Sequence, residues 1–187
     1  MGASPFLAKT AIRAVTAVLL GSAGLTVSVP ATAQTTGTAA SEAKILRPLA
    51  FFKDEDLNFG SMIPGTTAGT VRLLPNNART ATGGIILVGN SHEPARFTGL
   101  GTNNQNVTIS MGANNIFITG PGAPMRVRSF EIGSVPNTVI LSTTPLRFRI
   151  NSPTGVFNFP LGATLEVGAN QVEGDYSGTF TINFNYL

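Results

Sequence analysis

Residues able to do chemistry are few in this chain, and they are scattered. His92 is the only histidine and there is no cysteine. A thiolate nucleophile and a histidine-based metal centre are therefore both out of reach. His92 lies in Asn90-Ser91-His92-Glu93-Pro94, between two expected strands. Neighbouring side chains leave a strand on opposite faces, which separates Ser91 from His92. Gly89-x-Ser91 also lacks the second glycine of a nucleophile elbow, since position 93 is Glu. In Lys53-Asp54-Glu55-Asp56 the carboxylates are spaced to suit Ca2+, which takes about six to eight oxygen ligands. That run lacks the glycine and distal glutamate of an EF-hand loop, and a solvated turn is the simpler reading. Glu173 and Asp175, which flank Gly174, read the same way. Gly99-Leu100-Gly101 lacks the third glycine and the helix of a dinucleotide fingerprint. The expectation is no catalytic, cofactor-binding or metal-binding residue, and no enzyme.

Arginines offer the other constellation. Arg126 and Arg128 alternate with Met125 and Val127, and Arg147 and Arg149 alternate with Leu146, Phe148 and Ile150. On a strand each pair points away from the core. Were the two strands neighbours, four guanidinium groups would form a patch for acidic glycans or lipid headgroups. Protection of strand edges by outward charge is the plainer explanation.

The elements that would position these side chains are strands. Hydrophobic residues make up 42% of the 187 residues and charged residues only 11%, with 21 Gly and 12 Pro; an ordinary globular chain is roughly 25% charged. Lys9 and Arg13 precede an apolar stretch from Ala14 to Val29, and Ala31-Thr32-Ala33 is an A-x-A cleavage site before Gln34. That pattern predicts a cleaved secretory signal peptide over 1–33. Gly21, Ser22, Gly24 and Thr26 interrupt the stretch, which argues against a permanent span. Loss of Lys9 and Arg13 lowers the formal charge of +3 by two and leaves no basic footprint for nucleic acid. Residues 34–43 are small and polar and read as a flexible arm, and 44–187 read as one domain, exported to the periplasm, cell surface or exterior.

Within that domain short apolar runs alternate with Gly and Pro signals, the mark of a sandwich or barrel. Expected strands are 45–52, 57–59, 70–74, 85–88, 95–98, 106–111, 116–119, 125–132, 146–150, 156–159 and 164–167. The last segment is the most regular. Gly174, Tyr176, Gly178, Phe180, Ile182, Phe184 and Tyr186 are the candidates for strand pairing, because Tyr176 and Phe180 to Tyr186 share one face at strict period two. The expected core includes Phe59, Val71, Phe97, Ile109, Phe148, Leu165, Phe180, Ile182 and Phe184.

Several pieces resemble a known family, in order along the chain. They are Ile45-Leu46-Arg47-Pro48-Leu49, Asp56-Leu57-Asn58-Phe59-Gly60, Gly69-Thr70-Val71, Ala95-Arg96-Phe97-Thr98-Gly99, Leu161-Gly162-Ala163-Thr164-Leu165-Glu166-Val167 and Gly174-Asp175-Tyr176-Ser177-Gly178-Thr179-Phe180. Together they resemble the bacterial domain-of-unknown-function family 4402, which supplies no catalytic residues to transfer. The penultimate Tyr186, and Gly174 fourteen residues from the end, look like the terminal strand of chaperone–usher pilus subunits. That resemblance implies strand addition between like subunits or with a periplasmic chaperone. Two features depart from it: there is no cysteine, and 34–43 lacks large alternating apolar residues. A self-complete sandwich with 45–52 as its first strand is the competing arrangement.

The resulting expectation is an antiparallel immunoglobulin-like β-sandwich acting as a pilin-like or surface-assembly subunit. The alternative is a stand-alone adhesin or carbohydrate-binding module using loops such as 99–105 or 120–124.

Overall fold

Alternation of apolar and polar residues, broken by Gly and Pro, produces strands and no helix in the computed structural model, which describes residues 39–187. The strands are β1 (Ala50–Glu55), β2 (Ser61–Ile63), β3 (Gly69–Leu73), β4 (Arg79–Ala81), β5 (Ile86–Val88), β6 (Ala95–Leu100) and β7 (Asn106–Met111). They continue as β8 (Asn115–Ile118), β9 (Met125–Ser134), β10 (Asn137–Leu141), β11 (Leu146–Arg149), β12 (Val156–Val167) and β13 (Ile182–Tyr186). Every pairing is antiparallel. Eight strands form one sheet, β11-β7-β13 a second and β2-β5 a short third. The two smaller sheets pack on the inner face of the large one, and 43–187 form one compact unit. This is an all-β fold consistent with a β-sandwich.

The large sheet is organised by β12, and the register shows how. Leu161 pairs with both Ala95 of β6 and Ile132 of β9, so these strands lie on opposite edges of β12. Thr164, Leu165 and Glu166 likewise pair with both β3 and β9. It follows that β6 and β3 share one edge of β12, end to end, and β9 runs along the other. Sequence reading places two strands here, 156–159 and 164–167. The structure corrects this to one twelve-residue strand. Pro160-Leu161-Gly162 looks like a joint because it is a hand-over point: β6 stops pairing at Leu161 and β3 starts at Ala163.

One residue inserted in β9 keeps its faces in order. Between Arg128↔Thr164 and Glu131↔Gly162 the register shifts, and Ser129 has φ +50°. This is a β-bulge, with two residues opposite one. Without it Phe130 would point outward and Glu131 inward. With it Phe130 is fully buried, and Arg126, Arg128 and Glu131 all face outward.

Phenylalanines in stacked and edge-to-face contact join the layers. Phe184 of β13 lies 5.3 Å from Phe51 of β1, 5.4 Å from Phe157 of β12 and 5.4 Å from Phe148 of β11, between ring centroids. Such pairs add about 0.5–1.5 kcal/mol each beyond area burial. Of the expected core, Phe59, Val71, Phe97, Ile109 and Leu165 are buried, and Phe148, Phe180, Ile182 and Phe184 are half-buried against them.

Three further strand expectations need correction. Residues 57–59 form no strand; Asn58 alone makes an isolated bridge, to Glu93, and the next strand starts at Ser61. Residues 45–49 form no strand, and Ile45 is 95% exposed. The Arg47 N–H instead donates to Thr102 Oγ1, its guanidinium donates to the Thr154 carbonyl, and Tyr186 Oη donates to the Arg47 carbonyl. Pairing with β6 begins at Ala50. At the C-terminus the strand covers only Ile182–Tyr186. Ser177 exchanges two hydrogen bonds with Thr119, beyond β8 of the large sheet, whereas Ile182 onward pairs with β7 of the small one. The chain crosses between layers from Ser177 to Ile182, and no single ladder can follow it.

Candidate functional site

Among the described residues no group of His, Cys, Asp and Glu is placed to hold a metal ion. His92 sits in the connection between β5 and β6, and its Nε2 lies 3.1 Å from the Asn77 carbonyl. Nε2 is thus the nitrogen that carries hydrogen, and the buried Nδ1 has no partner. Asp54 and Glu55 end β1 instead of forming a free turn; Asp54 accepts from Thr98 Oγ1, and Lys53 pairs with Asp56 at 2.6 Å on the surface.

The four-arginine patch does not form. Arg126 and Arg128 belong to β9 of the large sheet, while Arg147 and Arg149 belong to β11 at the edge of the small one. Outward charge protecting an edge describes Arg147 and Arg149. It does not describe Arg126 and Arg128, because β9 has β12 on one side and β8 on the other along that stretch. Glu166 is their partner, directly opposite Arg126. Arg126 donates to both Glu166 oxygens at 2.7 Å, and Arg128 donates through Nε. Beside them Arg72 makes a second two-pronged contact, at 2.8 and 2.7 Å, with Glu131, which also accepts from Thr138. Since β3 and β9 flank β12, the Arg72–Glu131 pair bridges over it. Gly162 and Thr164 are buried beneath although they face outward.

Hydrogen bonds from Arg126 and then Arg128 hold the Glu166 carboxyl at about 2, against an ordinary 4.5. A lowered folded-state pKa means that the carboxylate stabilises the fold fully above pH 4.5, and that this contribution is lost as pH falls toward 2. The melting-temperature gap between wild type and Glu166→Gln is therefore expected to be widest at neutral pH and to narrow across that window. A gap independent of pH would remove the assignment. Glu131 is shifted the same way, by Arg72 against the cost of burial.

Between the small sheets the second layer is interrupted. A cleft of about 750 Å3 opens there, walled by Asp56–Met62 on one side and by Glu173–Gly178 and Phe180 on the other. Its floor is the inner face of the large sheet, with Ile116 and Ile118 of β8, Met125 and Val127 of β9 and Leu165 of β12. On one wall Asn58 spends its N–H and C=O on Glu93. On the other, Ser177 spends both of its groups on Thr119. In an extended pair the flanking residues direct their peptide groups the opposite way. Leu57, Tyr176 and Gly178 are thereby turned from those partners. Among the described residues Gly178, Thr179 and Phe180 make no backbone hydrogen bond. Tyr176 holds this wall: its Oη donates to the Val172 carbonyl and accepts from Gly122 N–H at 3.0 Å.

The seven C-terminal candidates divide accordingly. Ile182, Phe184 and Tyr186 face Met111, Ile109 and Val107 on β7. Gly174, with φ +134°, Tyr176, Gly178 and Phe180 line the cleft. β13 ends its sheet, with β7 on one side only. Sequence reasoning missed Arg79. From β4 its guanidinium donates to the carbonyls of Phe59, Ser61, Val88 and Gly89, clasping the β2-β5 ribbon to the large sheet. The expected signal peptide lies outside the described residues. No described helix is long and apolar enough to cross a membrane.

Comparison with known proteins gives one family. The model for the domain of unknown function DUF4402 matches residues 49–186. No curated protein and no solved structure matches the chain.

Proposed function

The chain belongs to the DUF4402 family; on the geometry of its open second layer we propose that it is a non-enzymatic structural module, a pilin-like or surface-assembly subunit that joins its partners by strand addition. The interrupted second layer carries this reading. An apolar floor, two walls of extended chain and peptide groups without partners are what an incoming strand requires, with main-chain bonds giving affinity and alternate side chains filling the floor. An open edge left without a partner is a hazard that folds otherwise cover or charge, which favours a use for it. Within this reading the sandwich is of immunoglobulin-like type. The partner is a like subunit or a periplasmic chaperone, and the protein is exported after removal of residues 1–33. The basic n-region, apolar stretch and A-x-A site support export, and the mass of the secreted protein, beginning at Gln34, tests it.

Light scattering behind size-exclusion chromatography tests assembly. The expected result is a concentration-dependent oligomer, or a shift on adding a peptide that copies residues 34–52. A species that is monomeric at every concentration and indifferent to that peptide overturns the reading.

A further inference from the structure

The outer face of the large sheet is a separate surface, on the far side of the β-layer from the cleft. Register places one residue from each of four neighbouring strands in a row across it, and a residue at the end of a fifth extends the row. Phe117 of β8 pairs with Arg126 of β9, Arg126 with Glu166 of β12, and Glu166 with Thr70 of β3. Thr82, just past β4, completes the row, its hydroxyl 2.7 Å from that of Thr70. The next row is Asn115, Arg128, Thr164, Arg72 and Thr80. At about 4.8 Å between strands, five strands span roughly 19 Å. Over the first row lies a shallow depression of about 770 Å3, lined by Phe117, Arg126, Glu166, Thr70, Thr82 and Pro124.

Three properties of this face specify a ligand chemistry. Phe117 is 60% exposed, an aromatic face open to water at one end of a polar row. Beyond it stand guanidinium, carboxylate and two hydroxyls, donors and acceptors alternating as a polyhydroxylated ring demands. The charges do not cancel: Arg72, Arg126 and Arg128 meet only Glu131 and Glu166, and two arginines share Glu166. Arg128 spends Nε on Glu166 and Nη1 on Ser129, and its Nη2 donates to no group among the described residues. The N–H groups of Nη2 are suited to a carboxylate oxygen, as a charge-assisted hydrogen bond. The side chains also stand on paired strands and are held by one another, so little order has to be acquired on binding.

We propose that this face binds a linear acidic saccharide. A sugar ring lies on Phe117, hydroxyls meet Thr70, Thr82 and Glu166, and a uronate carboxylate meets the Arg126–Arg128 pair. The surface is formed by strand faces, does not include the loop 99–105 and meets the loop 120–124 only at Pro124; it uses neither the cleft nor a free strand edge, so a monomer would bind as well as an assembly.

The test is an oligosaccharide array on which uronate-bearing glycans stand beside their neutral counterparts and beside a polyphosphate of matched charge, probed with the full chain. The expected result is retention on uronate glycans, weaker retention on both controls, and a loss of at least about tenfold for Phe117→Ala and for Arg128→Gln, as for anchor residues of an interface. Phe117 is exposed, so its variant should melt as wild type does. Absence of retention on any uronate glycan overturns the proposal. Unchanged retention of a folded Phe117→Ala, or equal retention on polyphosphate, also overturns it, because either result reduces the face to unspecific charge.

Discussion

Gly162→Ala is expected to lower the melting temperature by roughly 6–12 °C, for a loss of about 3 kcal/mol. A Cβ at this position would stand 2.2 Å from the Leu73 carbonyl oxygen and 2.9 Å from the Leu74 carbonyl carbon. Both are backbone atoms where β3 ends, and neither can turn aside as a side-chain tip would. Relief requires β3 to move away from β12, and β12 also carries β6 and β9. Leu161, Ala163 and Leu165 on either side are buried, and a shift of β12 disturbs the packing of all three. The same substitution at Gly168 is the control. The nearest atom there is Oε1 of Gln171 at 2.9 Å, the end of a flexible side chain, and a cost below about 1 kcal/mol is expected. Thermal unfolding followed by circular dichroism measures both. Equal melting temperatures for the two variants would contradict the assignment of β12 as the central strand.

Arg79→Met is expected to cost about 2–4 kcal/mol, since hydrogen bonds from a charged donor contribute more than neutral ones and several are lost together. Methionine keeps the apolar stem of the side chain but leaves the carbonyls of Phe59, Ser61, Val88 and Gly89 without their donor. These carbonyls come from both sides of the β2-β5 ribbon, and that ribbon borders the cleft through Ser61 and Met62. The ribbon should loosen before the rest of the chain unfolds. Arg79→Lys distinguishes geometry from charge. A single ammonium cannot bridge carbonyls on two strands as the planar fork does, so lysine should recover only part of the loss. Denaturant unfolding, combined with limited proteolysis near Val88-Gly89, measures it. Full recovery by lysine would show that charge alone matters.

How far the sequence exposes this arrangement depends on the range of the signal. β7 alternates Val107, Ile109 and Met111 against polar residues and lies where its pattern indicates, because one face of it is core and the other is not. β2, β4 and β10 carry no such pattern. The first two have three residues each, and β10 exposes Val139 and Ile140 at 49% and 52%. The long period-two run at the C-terminus is real as a pattern, yet it divides between two layers. The partner of each half, Thr119 for Ser177 and Met111 for Ile182, is a property of the assembled fold. The outward arginines of β9 were legible as outward; that both close on Glu166 was not, since their sequence positions are forty and thirty-eight residues from it. Arg79 gave no signal at all, because its partners are backbone carbonyls, which every residue possesses.

Amide hydrogen exchange of the isolated chain tests the open second layer most directly. The amides of Gly178, Thr179 and Phe180 should exchange at nearly the rate of unstructured chain, while those of β7 and β12 stay protected by their ladders. Added partner strand should slow exchange at 178–180 and leave β12 unchanged. Strong protection of 178–180 in the isolated monomer would mean that those peptide groups already have partners, and that no place for an incoming strand exists.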